Sequence, residues 1–164
     1  MTQPPHILVV EAPYYAHIAV ELRRGAERAL VAAGATHERL QVPGAFEIPA
    51  AIGFAARASG RFDGFVALGC VIRGETTHYD HICAESARGL QDLAVRDGLA
   101  IGYGILTVEN EAQALARAAA ERRDKGGEAV RACLALVGLK RRLAGEENEY
   151  TDRAAARQSA AGST

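Results

Sequence analysis

The sequence predicts an α/β domain in three layers, a four-stranded parallel sheet with helices on both faces. Three observations carry this. Short apolar runs alternate with longer stretches whose apolar residues recur every three or four positions, in the order β-α-β-α-β-α-β-α-α. The runs at 7–10 and 64–69 have no polar alternation, as befits strands buried on both faces. Glycine or proline punctuates the junctions, and parallel strands joined through helices require right-handed crossovers.

Taken in order, Ile7, Leu8, Val9 and Val10 make the first strand, and residues 11–15 the loop after it. From Ala16 a helix sets Ile18, Leu22, Ala26 and Leu30 on one face and Arg23, Arg24, Glu27 and Arg28 outside, with Gly34 as its stop. Residues 36–42 form the second strand, closed by Pro43 and Gly44. A second helix spans 46–59, with Pro49 tolerated in its first turn and Gly60 ending it. The third strand, 64–72, breaks at Arg73 and Gly74. Thr76 and Thr77 then offer side-chain oxygens to cap a helix running from Tyr79 to about Asp97. Residues 99–106 are the fourth strand, its Gly102 and Gly104 thinning the backbone near the carboxyl edge. Asn110 and Gln113 form a capping box for a helix reaching about Arg123. Gly126 and Gly127 interrupt. A last helix from Glu128 carries Val130, Leu134, Val137 and Leu139 to a basic end at Lys140, Arg141 and Arg142, which suits the helix dipole. Residues 1–145 are one domain, and 146–164 are expected to be a disordered tail.

The formal charge of −1 gives no reason to expect nucleic acid or a membrane surface as partner. No apolar run reaches the length of a membrane span, and the first residues are no signal peptide. Cys70, Cys83 and Cys133 form no Cys-x-x-Cys pair and point to reduced thiols in a cytoplasmic setting.

In such a sheet, ligands sit outside the carboxyl ends of the strands. Four loops emerge there. They carry Tyr14, Tyr15, Phe46, Glu47, a helix start with free N–H groups at 73–77, and His78 in its first turn. Helix starts bind anions, and imidazole is the side chain that exchanges protons near neutral pH. The bland alternative is an ordinary βα turn with a surface histidine. Together the four loops suit a flat heteroaromatic ring with a polyhydroxy tail and a phosphate nearby.

Three segments carry a resemblance: Pro43-Gly-Ala-Phe-Glu-Ile-Pro49, Leu68-Gly-Cys-Val-Ile-Arg-Gly-Glu-Thr-Thr-His78 and Thr107-Val-Glu-Asn110. In order and spacing, residues 6–143 resemble the lumazine synthase family of riboflavin biosynthesis, of flavodoxin-like fold. The resemblance implies condensation of 5-amino-6-(ribitylamino)uracil with 3,4-dihydroxy-2-butanone 4-phosphate, without metal or organic cofactor. By the same implication Tyr14 stacks on the pyrimidine, and Ala45, Phe46 and Glu47 hold the ribityl chain. Cys70, Val71 and Ile72 recognise the uracil edge through their backbone. Glu75 and Thr76 bind phosphate through backbone N–H groups, and His78 transfers protons. Tyr103, Arg117 and Lys125 match an aromatic wall, a phosphate-pairing arginine and a lysine that a neighbouring subunit contributes. A pentamer is implied rather than a larger shell, because few residues precede the first strand, with riboflavin synthase as a candidate partner.

Some positions depart from the family pattern. Pro13 and Tyr15 stand where Arg and Asn are usual, Tyr14 and Tyr103 where Phe is common, Cys70 for a usual Thr, and Glu121 for a frequent Lys. Two other readings were weighed. Cys70 could be a thiol nucleophile with His78 as base, but no third orienting group is evident. A non-catalytic flavin- or lumazine-binding protein on the same fold could keep the stacking loop, but retention of Glu47, His78 and Arg117 favours the enzyme.

Overall fold

The computed structural model describes residues 3–146. Alternating strands and helices build β1 (His6–Glu11), α1 (Ala16–Ala32), β2 (Thr36–Gln41), a single 3-10 turn (Ala45–Glu47), α2 (Ile48–Ser59), β3 (Gly64–Ile72), α3 (His78–Arg96), β4 (Ile101–Val108), α4 (Glu111–Ala118) and α5 (Lys125–Leu143). The sheet is parallel throughout, in the order β2-β1-β3-β4, with helices on both faces as expected. The tail expected without structure falls, from residue 147, outside the described residues. None of the described helices is long and apolar enough to cross a membrane.

The period-two geometry of strands divides the core in two. Ile7, Val9, Val66, Leu68, Leu106 and Val108 turn toward α1, α4 and α5, against Ile18, Leu22, Ala114, Ala129, Val130 and Cys133. Leu8, Val10, Phe65, Ala67, Ile101 and Ile105 turn the other way, toward Ile48 and Ile52 of α2 and Leu90 of α3. β1 and β3 are central and almost wholly buried, which is why their sequences lack alternation.

Several boundaries differ from expectation for identifiable reasons. The second helix begins as the 3-10 turn over Ala45–Glu47 and becomes α-helical at Ile48, because Pro49 has no N–H to give and fits only an opening turn. The fourth strand lies two residues later than expected, since β4 stays paired to β3 as far as Ile72 and Val108. The fourth helix ends at Ala118 rather than near Arg123. Gly126 and Gly127 do not interrupt a helix; they are the second and third residues of α5. Asp124 caps it, with a left-handed φ of 43° and a carboxylate that accepts from the Gly127 N–H at 3.1 Å. A methyl group on Gly126 would enter the carbonyl of Leu22, so this glycine is there to let α5 lie against α1. Gly102 and Gly104 have the same use: a methyl on either would collide with Ala129 of α5 or with Leu68 and Ala67 of β3. They thin the sheet beneath a helix, not at the ligand edge.

Candidate active site

Chain order places the site. From β2 the chain crosses back over β1 to reach β3, so the direction of winding switches between β1 and β3. Ligand crevices open at such points, outside the carboxyl ends. β1 and β2 stop at Glu11 and Gln41, level with Leu68, whereas β3 and β4 run on together to Ile72 and Val108. β3 therefore overhangs β1 by four residues. The Ala12 N–H donates to the Leu68 carbonyl at 2.9 Å, and the Arg73 N–H to the Val108 carbonyl at 3.0 Å. By strand parity, the main-chain groups of Cys70 and Ile72 turn toward the side that β1 has vacated. That ledge, left without a strand partner on this side, is where the sequence places recognition of a ring edge.

The turn at 73–77 leads from the ledge into α3, whose nineteen residues begin at His78. Residues 73 to 78 are all exposed. The expected threonine cap is not made: Thr77 occupies the N-cap in helical conformation with no side-chain bond, and Thr76 Oγ1 accepts only a long 3.4 Å contact from the His78 N–H. The Asp80 N–H turns back to the Thr77 carbonyl at 3.1 Å, which leaves the Tyr79 N–H and the weakly held His78 N–H for a ligand or water. Beside them Arg73 bridges three elements. Its Nε donates to Glu109 at 3.0 and 3.3 Å, its Nη1 to Asp80 at 3.1 Å, and its guanidinium lies 4.1 Å from the centre of the Tyr79 ring.

On the other side of the ledge, Tyr14 is 73% and Phe46 is 55% exposed, two aromatic faces open at the same edge. Tyr15 meets Tyr14 edge-on at 5.0 Å and packs down on the α1-side core. Ala45 is buried and Glu47 exposed, so the 3-10 turn anchors by one residue and presents the next two. One chain thus brings Tyr14, Phe46, Glu47, Cys70, Val71, Ile72, Glu75, Thr76 and His78 to one edge. The family model for 6,7-dimethyl-8-ribityllumazine synthase matches residues 4–141, which include every one of these positions. The chain belongs to the lumazine synthase family. A 6,7-dimethyl-8-ribityllumazine synthase of Sphingopyxis alaskensis is 59% identical over 135 residues, covering 82% of this chain and 94% of that protein. The protein named 6,7-dimethyl-8-ribityllumazine synthase 1 of Rhizobium meliloti is 54% identical over 149 residues, 88% and 97% of the two chains. One from Erythrobacter litoralis is 56% identical over 136 residues, 83% and 96%.

Not all the residues suggested by the family gather on this edge. Tyr103 lies in mid-β4, 44% exposed; burial, then Cys83, raise its pKa. Arg117 closes α4, its Nη1 donating to the Gln113 carbonyl at 3.1 Å. Lys125 opens α5 and pairs with Glu128 at 2.6 Å. Arg117 and Lys125 belong to the helix layer opposite α3, and their hydrogen bonds among the described residues reach none of Tyr14, Glu47 or His78.

The lumazine synthase edge also decides two questions of chemistry. Burial, then Cys83, push the Cys70 thiol up to about 12, so it is no thiolate at neutral pH. The nucleophile reading of Cys70 falls with that. Glu121, the acid where the family often has Lys, is paired with Arg24 at 2.5 Å and Arg28 at 3.4 Å, so α1 offsets its charge.

Two features escaped sequence reasoning. Glu11, assigned to a loop, is the last residue of β1 and 1% exposed. Its Oε1 accepts from Arg23 at 3.3 Å, Arg39 at 2.9 Å and Gln41 at 2.7 Å. Arg23 is accordingly turned inward, not outward as the helical pattern suggested. An acid directly ending an apolar strand run was the available signal. The other is the pairing of Arg73 with Glu109, whose only sequence trace is that each lies in one of the three resembling segments.

Proposed function

We propose that this edge condenses 5-amino-6-(ribitylamino)uracil with 3,4-dihydroxy-2-butanone 4-phosphate to 6,7-dimethyl-8-ribityllumazine, releasing phosphate and water, the activity of the family in riboflavin biosynthesis. The overhang of β3 carries the reading: it sets a main-chain ledge between an exposed aromatic pair and an uncapped helix start with a histidine. Each part has one task. Tyr14 stacks on the ring while Cys70 and Ile72 meet its polar edge through the backbone; Val71 lies between them on the same strand. Ala45, Phe46 and Glu47 hold the ribityl chain, with the carboxylate accepting from its hydroxyls. The N–H groups of Glu75 and Thr76 take the phosphate. His78 moves the protons that imine formation, phosphate elimination and ring closure require. Holding two substrates side by side supplies much of the acceleration.

A neighbouring subunit completes the site with Tyr103, Arg117 and Lys125 in a head-to-tail pentamer. The open shelf around Tyr14 and Phe46, and the place of Arg117 and Lys125 on the opposite helix layer, support this sharing. The test is incubation with both substrates at neutral pH, following lumazine fluorescence. Formation well above the uncatalysed rate is expected. Tight binding of lumazine or flavin with no such excess would make the protein a binding paralogue.

A further inference from the structure

We infer that Arg73 is a positioning residue for the phosphate substrate: it neutralises Asp80 and Glu109 and ties them back from the anion turn, without touching the anion itself. The inference rests on the reading that phosphate seats on the N–H groups of Glu75 and Thr76. Asp80 stands in the first turn of α3 and Glu109 directly after β4, both exposed and both bonded to Arg73, the residue that opens the turn carrying that seat. A carboxylate in a helix's first turn uses the same positive field that an incoming phosphate would use. Two of them beside an uncapped helix start, with Glu75 in the turn itself, would make the seat repel its ligand.

Arg73 removes that conflict. The planar fork engages Glu109 through Nε and Asp80 through Nη1, while the Tyr79 ring beneath fixes its plane. Glu109 above all, and Asp80, hold the guanidinium more firmly protonated. Its own main chain is fastened as well, N–H to the Val108 carbonyl, so the head group and the start of the turn are located together. Lysine could supply the charge but not the fork. With Nε and Nη1 committed to the two carboxylates, the head group is held as a brace between them, and a triple variant separates that role from direct contact with the anion.

Titration of the assembled protein with inorganic phosphate, followed through backbone amide resonances, tests the seat and the brace separately. In the wild type, shifts should centre on Glu75 and Thr76. Arg73→Ala should weaken phosphate about three- to tenfold, the sum of two exposed charge interactions, and leave the ribitylamino-uracil Kd within twofold. Arg73→Lys should fall between the two. Removing both acids from the alanine variant, as Arg73→Ala/Asp80→Asn/Glu109→Gln, should restore phosphate affinity to near wild type. An affinity that stays low in the triple variant overturns the inference, because Arg73 would then be a direct ligand or a purely structural strut. Equal weakening of both substrates in Arg73→Ala overturns it in favour of the strut. Wild-type shifts that avoid Glu75 and Thr76 overturn the seat and the inference together, whereas correct shifts with an unaffected Arg73→Ala overturn the inference alone.

Discussion

His78 is the proton-transferring type of side chain at the start of α3, exposed and one residue beyond the turn proposed to take the anion. His78→Ala should therefore lower kcat by roughly tenfold to a hundredfold and change substrate Kd little, because positioning by the ledge survives the mutation. An unchanged kcat in single-turnover measurements would remove it from the mechanism. The two buried thiols make a different forecast. Burial raises both Cys70 and Cys133 from 9.0 to about 12, so the unfolded chain loses these protons first as pH rises. Their contribution to stability is whole below pH 9.0 and is lost progressively toward pH 12. Urea midpoints should decline across that window, and less steeply in Cys133→Ala than in the parent. A variant declining just as steeply would place the lost stability on other groups.

Among the elements, the crossing of α1 and α5 is a joint without slack. Gly25 faces the Asp124 cap, and Gly126 faces the Leu22 carbonyl, so neither position has room for a Cβ. Gly126→Ala should destabilise by about 1–3 kcal/mol or more, since the obstacle is backbone and cannot rotate away. Gly74→Ala, where nothing lies within 4 Å of the added methyl, should leave the melting temperature nearly unchanged. Similar losses in both would mean that contact with the Leu22 carbonyl is not the cause, since reduced chain entropy alone would stabilise both variants. The same joint marks where the sequence could be read and where it could not. The layers, strand directions and ligand edge followed from apolar periodicity and turn residues, which are local signals. Gly126-Gly127 looked like a break because a helix-breaking pair and a helix-packing pair are spelled identically; only the position of Leu22, a hundred residues away in the chain, tells them apart. Arg23 was misplaced for the same reason, its partner Glu11 lying on a strand and not on its own helix. The roles proposed for Cys70 and Ile72 come only from the motif, since main-chain groups leave no mark in side-chain chemistry.

At the scale of the molecule, one chain presents a shelf where a substrate would need walls. If neighbours supply Tyr103, Arg117 and Lys125, then Glu47→Ala should ruin one half of every site and Arg117→Ala the other. Unfolded together and reassembled at equal ratio, the two inactive proteins should regain activity toward about a quarter of wild type, the chance share of interfaces with two sound halves. Rings shown by mass to be mixed, yet still inactive, would put the whole site within one chain. The placement of α5 has a consequence for how the protein is made. Its Ala129, Val130, Cys133 and Val137 roof the α1-side core over β3 and β4, and it is the last described element to leave the ribosome. Until α5 emerges, the growing chain holds Val66, Leu68 and then Leu106 without that roof, dependent on chaperones or on speed. Nascent chains arrested after Asp124 should be cut readily by protease, and those arrested once Leu143 has cleared the exit tunnel should resist. Equal resistance in both would mean that the sheet can hold itself closed before translation reaches its final helix.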